Sequence, residues 1–525
     1  MDRYDVLIAG AGPTGLVLAL ALAKQGIRVC IVDKTAGPGT TSRAMAVHAR
    51  TLELYRSLGL ADEVTAAGKP NTAINLWVKG KRRAQLAFRS AGARLTPYPY
   101  VLIYPQDAHE ALLVRHLEAM GVTVQRNTEL ADFEDQGERV LARLRRNGGT
   151  DVQVEARYLA GCDGARSTVR RSLGTGFTGG TYDHLFYVAD VQVHGSALSG
   201  NLNGKINGEI HASLDTADFC ILLSYSDTGR ARLIGTVRDE RAQHPENLSF
   251  DDVSHRALSS LGIEVEAVHW FSTYRVHHRV TDHYRRGRAF LLGDAAHVHS
   301  PAGGQGMNTG IGDAINLAWK LAAVLRADAP DSLLDTYEPE RIAFARKLVD
   351  TTDRMFTFIT AEGNFADFVR MRIAPIFASA AYNVGTVREQ IFRILSQTMI
   401  SYHDSPLSSG TAGRVHGGDR LPWVARGGQD NLAPAAAIDW QVQVYGQAYD
   451  DLRAWCDRHR MLLREFDWGQ ETEDAGFARN ASYLVRPDGY VALCDPGGSA
   501  QALEDYFCDL NYHRFRVFPP RQAAL

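Results

Sequence analysis

The chain is predicted to be an α/β protein built on a Rossmann-like dinucleotide-binding domain, residues 1–181 and 276–402. An antiparallel-sheet domain, 182–275, is expected to be inserted into it, and residues 403–525 to form a separate C-terminal domain. Three observations predict this. A glycine fingerprint lies between a strand and a helix at the N-terminus, the texture turns to short alternating segments mid-chain, and a Gly/Ser/Pro-rich stretch from His403 to Pro422 marks a boundary.

Taken in order, Val6 to Ala9 read as a short buried strand, Gly10 to Gly15 as a turn, Leu16 to Gln25 as a Leu/Ala-rich helix, and Arg28 to Val32 as a second strand ending at Asp33. That is a compact βαβ unit. Leu112, Leu113, His116 and Leu117 recur at helical spacing and predict a helix over Asp107 to Met120, followed by a strand at Val122 to Gln125. Between Tyr182 and Tyr274, segments such as Phe186–Val193, Phe219–Tyr225 and Arg232–Val237 predict antiparallel strands. The α/β texture then returns with a strand at Ala289–Leu292, a long helix from Asn308 to Leu325 and further helices through Leu395. The tail from Leu421 mixes strands and helices and is long enough to fold alone.

Composition narrows the function classes. The 525 residues carry 57 Lys+Arg against 60 Asp+Glu, a net charge of −3, with 45% hydrophobic content, which argues for several packed cores and gives no electrostatic reason to expect nucleic acid. The six cysteines, Cys30, Cys162, Cys220, Cys456, Cys494 and Cys508, show no C-x-x-C and no Cys/His ligand spacing, so neither a metal site nor a disulfide framework is expected. The uncharged run from Val6 to Ala23 is interrupted by Gly10, Gly12, Pro13, Thr14 and Gly15 and lacks a basic leader, so neither a signal peptide nor a membrane span is expected, and the reading is cytoplasmic.

Gly10-Ala-Gly12-Pro-Thr-Gly15 fits G-x-G-x-x-G, and Asp33 ends the second strand 23 residues after Gly10. Gly10 permits the tight turn, Gly12 the approach of a pyrophosphate, and Gly15 close helix–strand packing, while the Asp33 carboxylate would accept ribose hydroxyls. NAD and FAD both use this pattern, so the motif alone leaves the dinucleotide open.

Two distant segments complete a signature. Gly161-Cys-Asp163-Gly164-Ala-Arg166-Ser167 and Gly293-Asp294-Ala-Ala-His297, continuing Ser300-Pro301-Ala-Gly303-Gly304-Gln305-Gly306-Met307-Asn308, follow the fingerprint in order. Together the three resemble the group A flavin-dependent aromatic monooxygenases, the para-hydroxybenzoate hydroxylase and phenol hydroxylase class. The resemblance implies FAD, with NADPH or NADH and O₂ as co-substrates and a small aromatic substrate, the oxygen passing to the ring through a flavin C4a-hydroperoxide. It implies that Asp294 accepts a ribityl hydroxyl and that Gly304, Gly306, Met307 and Asn308, at a helix start, present backbone N–H groups to the isoalloxazine. Arg43 and Gln106 match positions contacting FAD ribose and pyrophosphate, though ordinary surface polarity also explains them. Asp163 would tie flavin to nicotinamide binding, or simply cap the helix behind it. Pro301 matches a position whose carbonyl faces the substrate hydroxyl, or is a plain loop proline. No second G-x-G-x-x-G lies between Asp33 and Asp294, which fits a nicotinamide that visits without a domain of its own.

The chain departs from simple phenol hydroxylases at Met45, where they carry a carboxylate. His48 is the nearest candidate base, with a pKa near neutrality, against the alternative of a packed structural histidine. That departure leaves room for larger, polyketide-like ring systems. Tyr225, His211 and Phe219 are candidate substrate contacts by residue type alone. Gly417-Gly-Asp419-Arg420-Leu-Pro422 and Leu484 to Val491 resemble the thioredoxin-like tail of the longer hydroxylases, where a structural or homodimer-forming role is expected. The competing readings are an epoxidase, a Baeyer–Villiger-type oxygenase on a polyketide- or antibiotic-like compound, and a non-catalytic protein that binds flavin and an aromatic ligand.

Overall fold

The computed structural model describes residues 2–39, 44–195, 209–214, 219–237, 248–253, 258–259, 261–299, 302–360, 385–427, 429–432 and 438–515. Strand β1 (Asp2–Ala9), helix α1 (Pro13–Lys24) and strand β2 (Val29–Val32) form the expected βαβ unit, with β1 and β2 parallel. All four residues of β2 and the last four of β1 are buried, as a strand covered on both faces requires. Pro13 opens α1, where its missing N–H and fixed φ suit the first helical turn. Helices α2 (Ala49–Leu58) and α3 (Gln106–Ala119) follow. Strand β3 (Asp151–Gly161) lies parallel on the other side of β1, and β4 (Ala289–Leu291) parallel beyond it, giving the order β4–β3–β1–β2. The strand expected at Val122–Gln125 is reduced to one parallel bridge between Val32 and Gln125. Helix α4 (Gln305–Leu325) starts three residues before the expected Asn308 and is buried along nearly its whole length, and α5 (Tyr337–Thr360) follows it.

The second sheet corrects the expected extent of 182–275. Its eight strands run in the order His297–Val298, Ile263–Thr281, Phe177–Gly195, Arg230–Val237, Phe219–Ser224, Ile210–Leu214, Ala73–Val78 and Lys81–Ala87. The hairpin of 73–87 joins because Ala73–Val78 pairs in parallel with Ile210–Leu214, a contact no local pattern announces. The two faces of this sheet differ in what they touch. One carries Tyr187, Val191, Cys220, Leu222 and Leu233 and packs on Phe250, Val253 and Leu261. The other carries Ile210, Leu223, Ile221, Ile234 and Tyr225 and packs on Met45, Phe88, Ile103 and Phe392.

The C-terminal sheet has six strands, in the order Val415–His416, Ser409–Ala412, Val491–Asp495, Ser482–Val485, Gln441–Tyr445 and Leu462–Phe466. One face builds its own core, with Tyr445 stacked on Phe477 at 3.7 Å. The other, through Val442, Val444 and Leu484, is continuous with the core of the first sheet, and Trp440 meets Trp319 of α4 edge-on at 5.5 Å. Charges also cross the 403 boundary: Arg486 bonds both oxygens of Glu340 at 2.7 and 2.9 Å, and Arg420 both oxygens of Glu53 at 2.8 and 2.6 Å, all of them buried. Among the described residues no helix is long and apolar enough to cross a membrane.

Candidate active site

The three motifs, far apart in sequence, meet at the N-terminus of α1. Gly10 adopts φ +104, and a Cβ there would lie 2.2 Å from the Cys162 carbonyl oxygen, so the first turn and the second motif touch backbone to backbone. A Cβ on Gly15 would meet the Gly10 carbonyl at 2.0 Å. Gly12 is the opposite case: a Cβ built on it meets nothing within 4 Å. The turn is thus closed around an open side where a pyrophosphate can approach, and no side chain caps the N–H groups at the start of α1. Thr14, one residue on, packs against both Gly293 and Gly310, which brings the third motif and the start of α4 to the same place. These features fit a dinucleotide.

Asp33 sits at the end of β2, and its carboxylate is largely taken by its own chain. Oδ2 accepts from Ala11 N at 2.7 Å, and Oδ1 from Thr35 N and Oγ1 at 2.8 and 2.5 Å. Gln106, at the start of α3, accepts from Ala44 N at 3.3 Å and donates to Glu110 at 2.8 Å. Asp163 caps the helix at Thr168–Ser172 through Oδ2, which accepts from Thr168 N and Val169 N at 2.6 and 3.2 Å, while its Oδ1 is buried without a partner. Asp294 is exposed on the turn after β4. Arg43 and Pro301 lie outside the described residues.

The turn before α4 is fixed by Asn308. Its Oδ1 accepts from His48 N at 2.9 Å and Thr51 Oγ1 at 2.7 Å, and its Nδ2 donates to the carbonyls of Ala46 and Gly304, both at 2.8 Å. The amide is saturated, so Asn308 serves this site through position and backbone rather than a free side chain. Gly304 caps α4 with φ +65, and a Cβ there would lie 2.7 Å from that of Ala46. The N-terminus of α4 has no side-chain cap. It can therefore stabilise negative charge on a bound ring. Gly306 and Met307, in its first turn, are half-buried.

His48 corrects an expectation. Its ring lies in the core, with Nε2 3.1 Å from the Gly304 carbonyl and Nδ1 buried without a partner. Burial pushes the imidazole down to about 4, against the pull of the Gly304 and Gly303 carbonyls, so it is not the near-neutral base the sequence suggested. It is uncharged at pH 7, and because a carbonyl only accepts, Nε2 carries the proton. At the turn after β4, Asp313 accepts from Gly293 N at 3.0 Å, His297 Nε2 at 2.8 Å and Arg341 Nε at 2.7 Å. Burial opposes its charge, but Arg341 and His297 hold the carboxyl below the usual range.

The candidate substrate contacts divide by face. Tyr225 lies on the face that packs against Met45, Ala46 and thus the Gly304 turn, and Phe219 joins Phe186, Tyr182 and Tyr274 on the same side. His211 registers with Leu222 on the opposite face, where Trp77 Nε1 donates to its Nδ1 at 3.1 Å. It therefore faces away from the turn. One residue unannounced by sequence lies on the near face. Arg232 registers with Asp190 and Leu223 and bonds Asp190 through Nε and Nη2 at 2.8 and 2.7 Å, leaving Nη1 buried and unpartnered. Only its i, i+2 neighbours across four strands could have placed it, and those pairings are not local.

A family model described as FAD binding domain matches residues 3–352. The chain is 40% identical over 428 residues to 6-methylpretetramide 4-monooxygenase of Streptomyces rimosus, covering 79% of this chain and 74% of that protein. It is 31% identical to pentachlorophenol 4-monooxygenase of Sphingobium chlorophenolicum, covering 93% of each. Among solved structures it is similar to the anhydrotetracycline hydroxylase OxyS of Streptomyces rimosus, with a TM-score of 0.75 and 28% identity over 97% of this chain and 99% of that one.

Proposed function

The chain belongs to the FAD-binding family of group A flavin-dependent aromatic monooxygenases, and from that premise we propose that it hydroxylates a polycyclic, phenol-bearing aromatic of polyketide type at the expense of NAD(P)H and O₂. The observation that carries this reading is that Met45–Ala46 meets two surfaces: Ala46 lies against Gly304 at the uncapped start of α4, and both residues pack with the apolar side chains on one face of the eight-stranded sheet. Met45 is buried and apolar, so phenol deprotonation has no carboxylate at that position. FAD would be held by Gly10, Gly12 and Gly15 at its pyrophosphate, by Asp294 and the remaining oxygen of Asp163 farther along, and by the first turn of α4. When bound it supplies the redox chemistry with O₂; the chain's own residues bind, orient and exclude water.

His48 in this reading is a positioning residue that fixes the Gly303–Gly304 carbonyls. The leftover N–H of Arg232 suits a ring oxygen of the substrate. Because Asp190 already balances its charge, a carbonyl or phenol is favoured over a carboxylate. For residues 403–515 the thioredoxin-like reading is supported by a mixed sheet flanked by Asp450–His459 and Ala500–Asp509. In the tail, Cys456 and Cys494 form no disulfide and burial pushes both up to about 12, which suits structure rather than thiol exchange.

The test is NAD(P)H oxidation by the purified flavoprotein against a panel of simple phenols and polycyclic aromatics, with peroxide and product mass followed together. Stimulation by polycyclic phenols with a product one oxygen heavier and little peroxide is expected. Preferential turnover of monocyclic phenols would refute the substrate class, and a lactone or ester product would show ring insertion instead.

A further inference from the structure

The acidic residue that ends the second strand of a dinucleotide fold ordinarily faces the adenosine ribose. Here Asp33 is bonded to Ala11 N, Thr35 N and Thr35 Oγ1, which occupy three of its roughly four acceptor positions. Beside it stands Arg126. The residue follows Gln125, which bridges Val32 in parallel, so Arg126 lies just past the carboxyl end of the neighbouring chain segment, on the edge of the sheet where a dinucleotide lies. Backbone bonds hold it there: Asp33 N donates to Gln125 O at 2.9 Å, and Asn127 N to Thr35 O at 3.1 Å.

The Arg126 side chain reaches back over the turn after β2. Nη1 lies 3.8 Å from Asp33 Oδ1 and 3.4 Å from the Gly37 carbonyl, both weak contacts. Nη2 is buried and has no hydrogen-bond partner. A guanidinium N–H out of water without an acceptor is costly, by an amount that a bound acceptor would recover. The nearby carboxylates do not use it. Glu110 is engaged by Gln106 Nε2 and Gly39 N, and Asp33 by Ala11 and Thr35.

We propose that Arg126 is an adenosine clamp, donating through Nη2 to an acceptor on the adenosine half of FAD, while Asp33 mainly braces the glycine turn. The proposal rests on FAD being the cofactor. It assigns recognition of the nucleotide's far end to a cation outside the fingerprint.

The experiment is fluorescence titration of flavin-stripped, full-length protein with FAD and, separately, with FMN, which lacks the adenosine half. Wild type, Arg126→Met and Arg126→Lys are compared. The FAD Kd is expected to rise at least tenfold in Arg126→Met, with the FMN Kd unchanged within twofold and the FAD loss partly recovered by Lys. An FAD Kd within twofold of wild type overturns the proposal, and so does parallel weakening of FAD and FMN, which would mark a merely structural arginine. If wild type bound no FAD at all, the cofactor assignment itself would fall, a result distinct from either.

Discussion

At the scale of single residues, the glycines of the first turn do different work, and substitution separates them. Gly10→Ala would force a Cβ to within 2.2 Å of the Cys162 carbonyl at φ +104, so the protein is expected to lose about 2 kcal/mol or more of stability whether or not flavin is present. Gly12→Val points into open space from an extended backbone and is expected to leave the apoprotein within about 1 kcal/mol of wild type while abolishing FAD binding. Thermal melts of the two apoproteins beside flavin absorbance check both. Arg232→Gln removes the unpartnered N–H on the near face of the sheet. It is expected to raise KM for an oxygenated polycyclic substrate by roughly tenfold, with the FAD Kd unchanged. The glycines were legible because a backbone requirement is written in residue type. The charge state of His48 was not, because its burial depends on which distant segments pack around the ring.

Among elements, α4 is the hinge between cofactor and tail. Its first turn is clasped by Asn308 to the start of α2, and farther along Asn316 and Trp319 both donate to Asp488 Oδ2, at 3.3 and 3.1 Å. Lys320 bonds Glu340 at 2.7 Å, and burial lowers its ammonium to about 8 despite that partner. Arg486 bonds both Glu340 and Asp488. Arg486→Met would leave two buried carboxylates short of a partner, so a loss of about 3–5 kcal/mol is expected, read as a lower denaturant midpoint. Helices α1, α3 and α4 were legible and fall within a few residues of their predicted spans, whereas α2 was not foreseen. The hairpin of 73–87, which lies within the span expected to belong to the dinucleotide-binding domain, joins the second sheet. Its alternation gives a strand, but a strand's partner is chosen by a segment more than a hundred residues away.

At the scale of the whole molecule, three of the buried histidines among the described residues contribute to the response to acid. His48, His109 and His211 are each pushed by burial from 6.5 to about 4. In the unfolded chain they take up protons below about 6.5, and in the fold only near 4. Stability is therefore full above pH 6.5 and falls as pH drops through that window, by up to about 1.4 kcal/mol per pH unit for each histidine. Melting temperature measured from pH 7.5 to 4.5 should decline most steeply below 6.5, and His109→Gln, which keeps a polar group near Tyr55, should flatten the slope. The tail behaves as part of the same body. A chain ending at 402 would expose Trp319 and strand Glu340 and Glu53 without Arg486 and Arg420, and is expected to be insoluble or to lack bound flavin when expressed.

Sequence by itself determined the dinucleotide turn, the order of the three motifs, the flavin family and the helices that frame the site, because each rests on residues close in the chain whose backbone needs are absolute. Only the tertiary structure decided that His211 faces away while Arg232 faces in, that Asp33 is spent on the glycine turn and its own loop, that His48 is uncharged, and that the tail shares a core and buried charges with α4. Those properties belong to which segments meet and how much water they exclude, and neither is carried by any stretch of sequence alone.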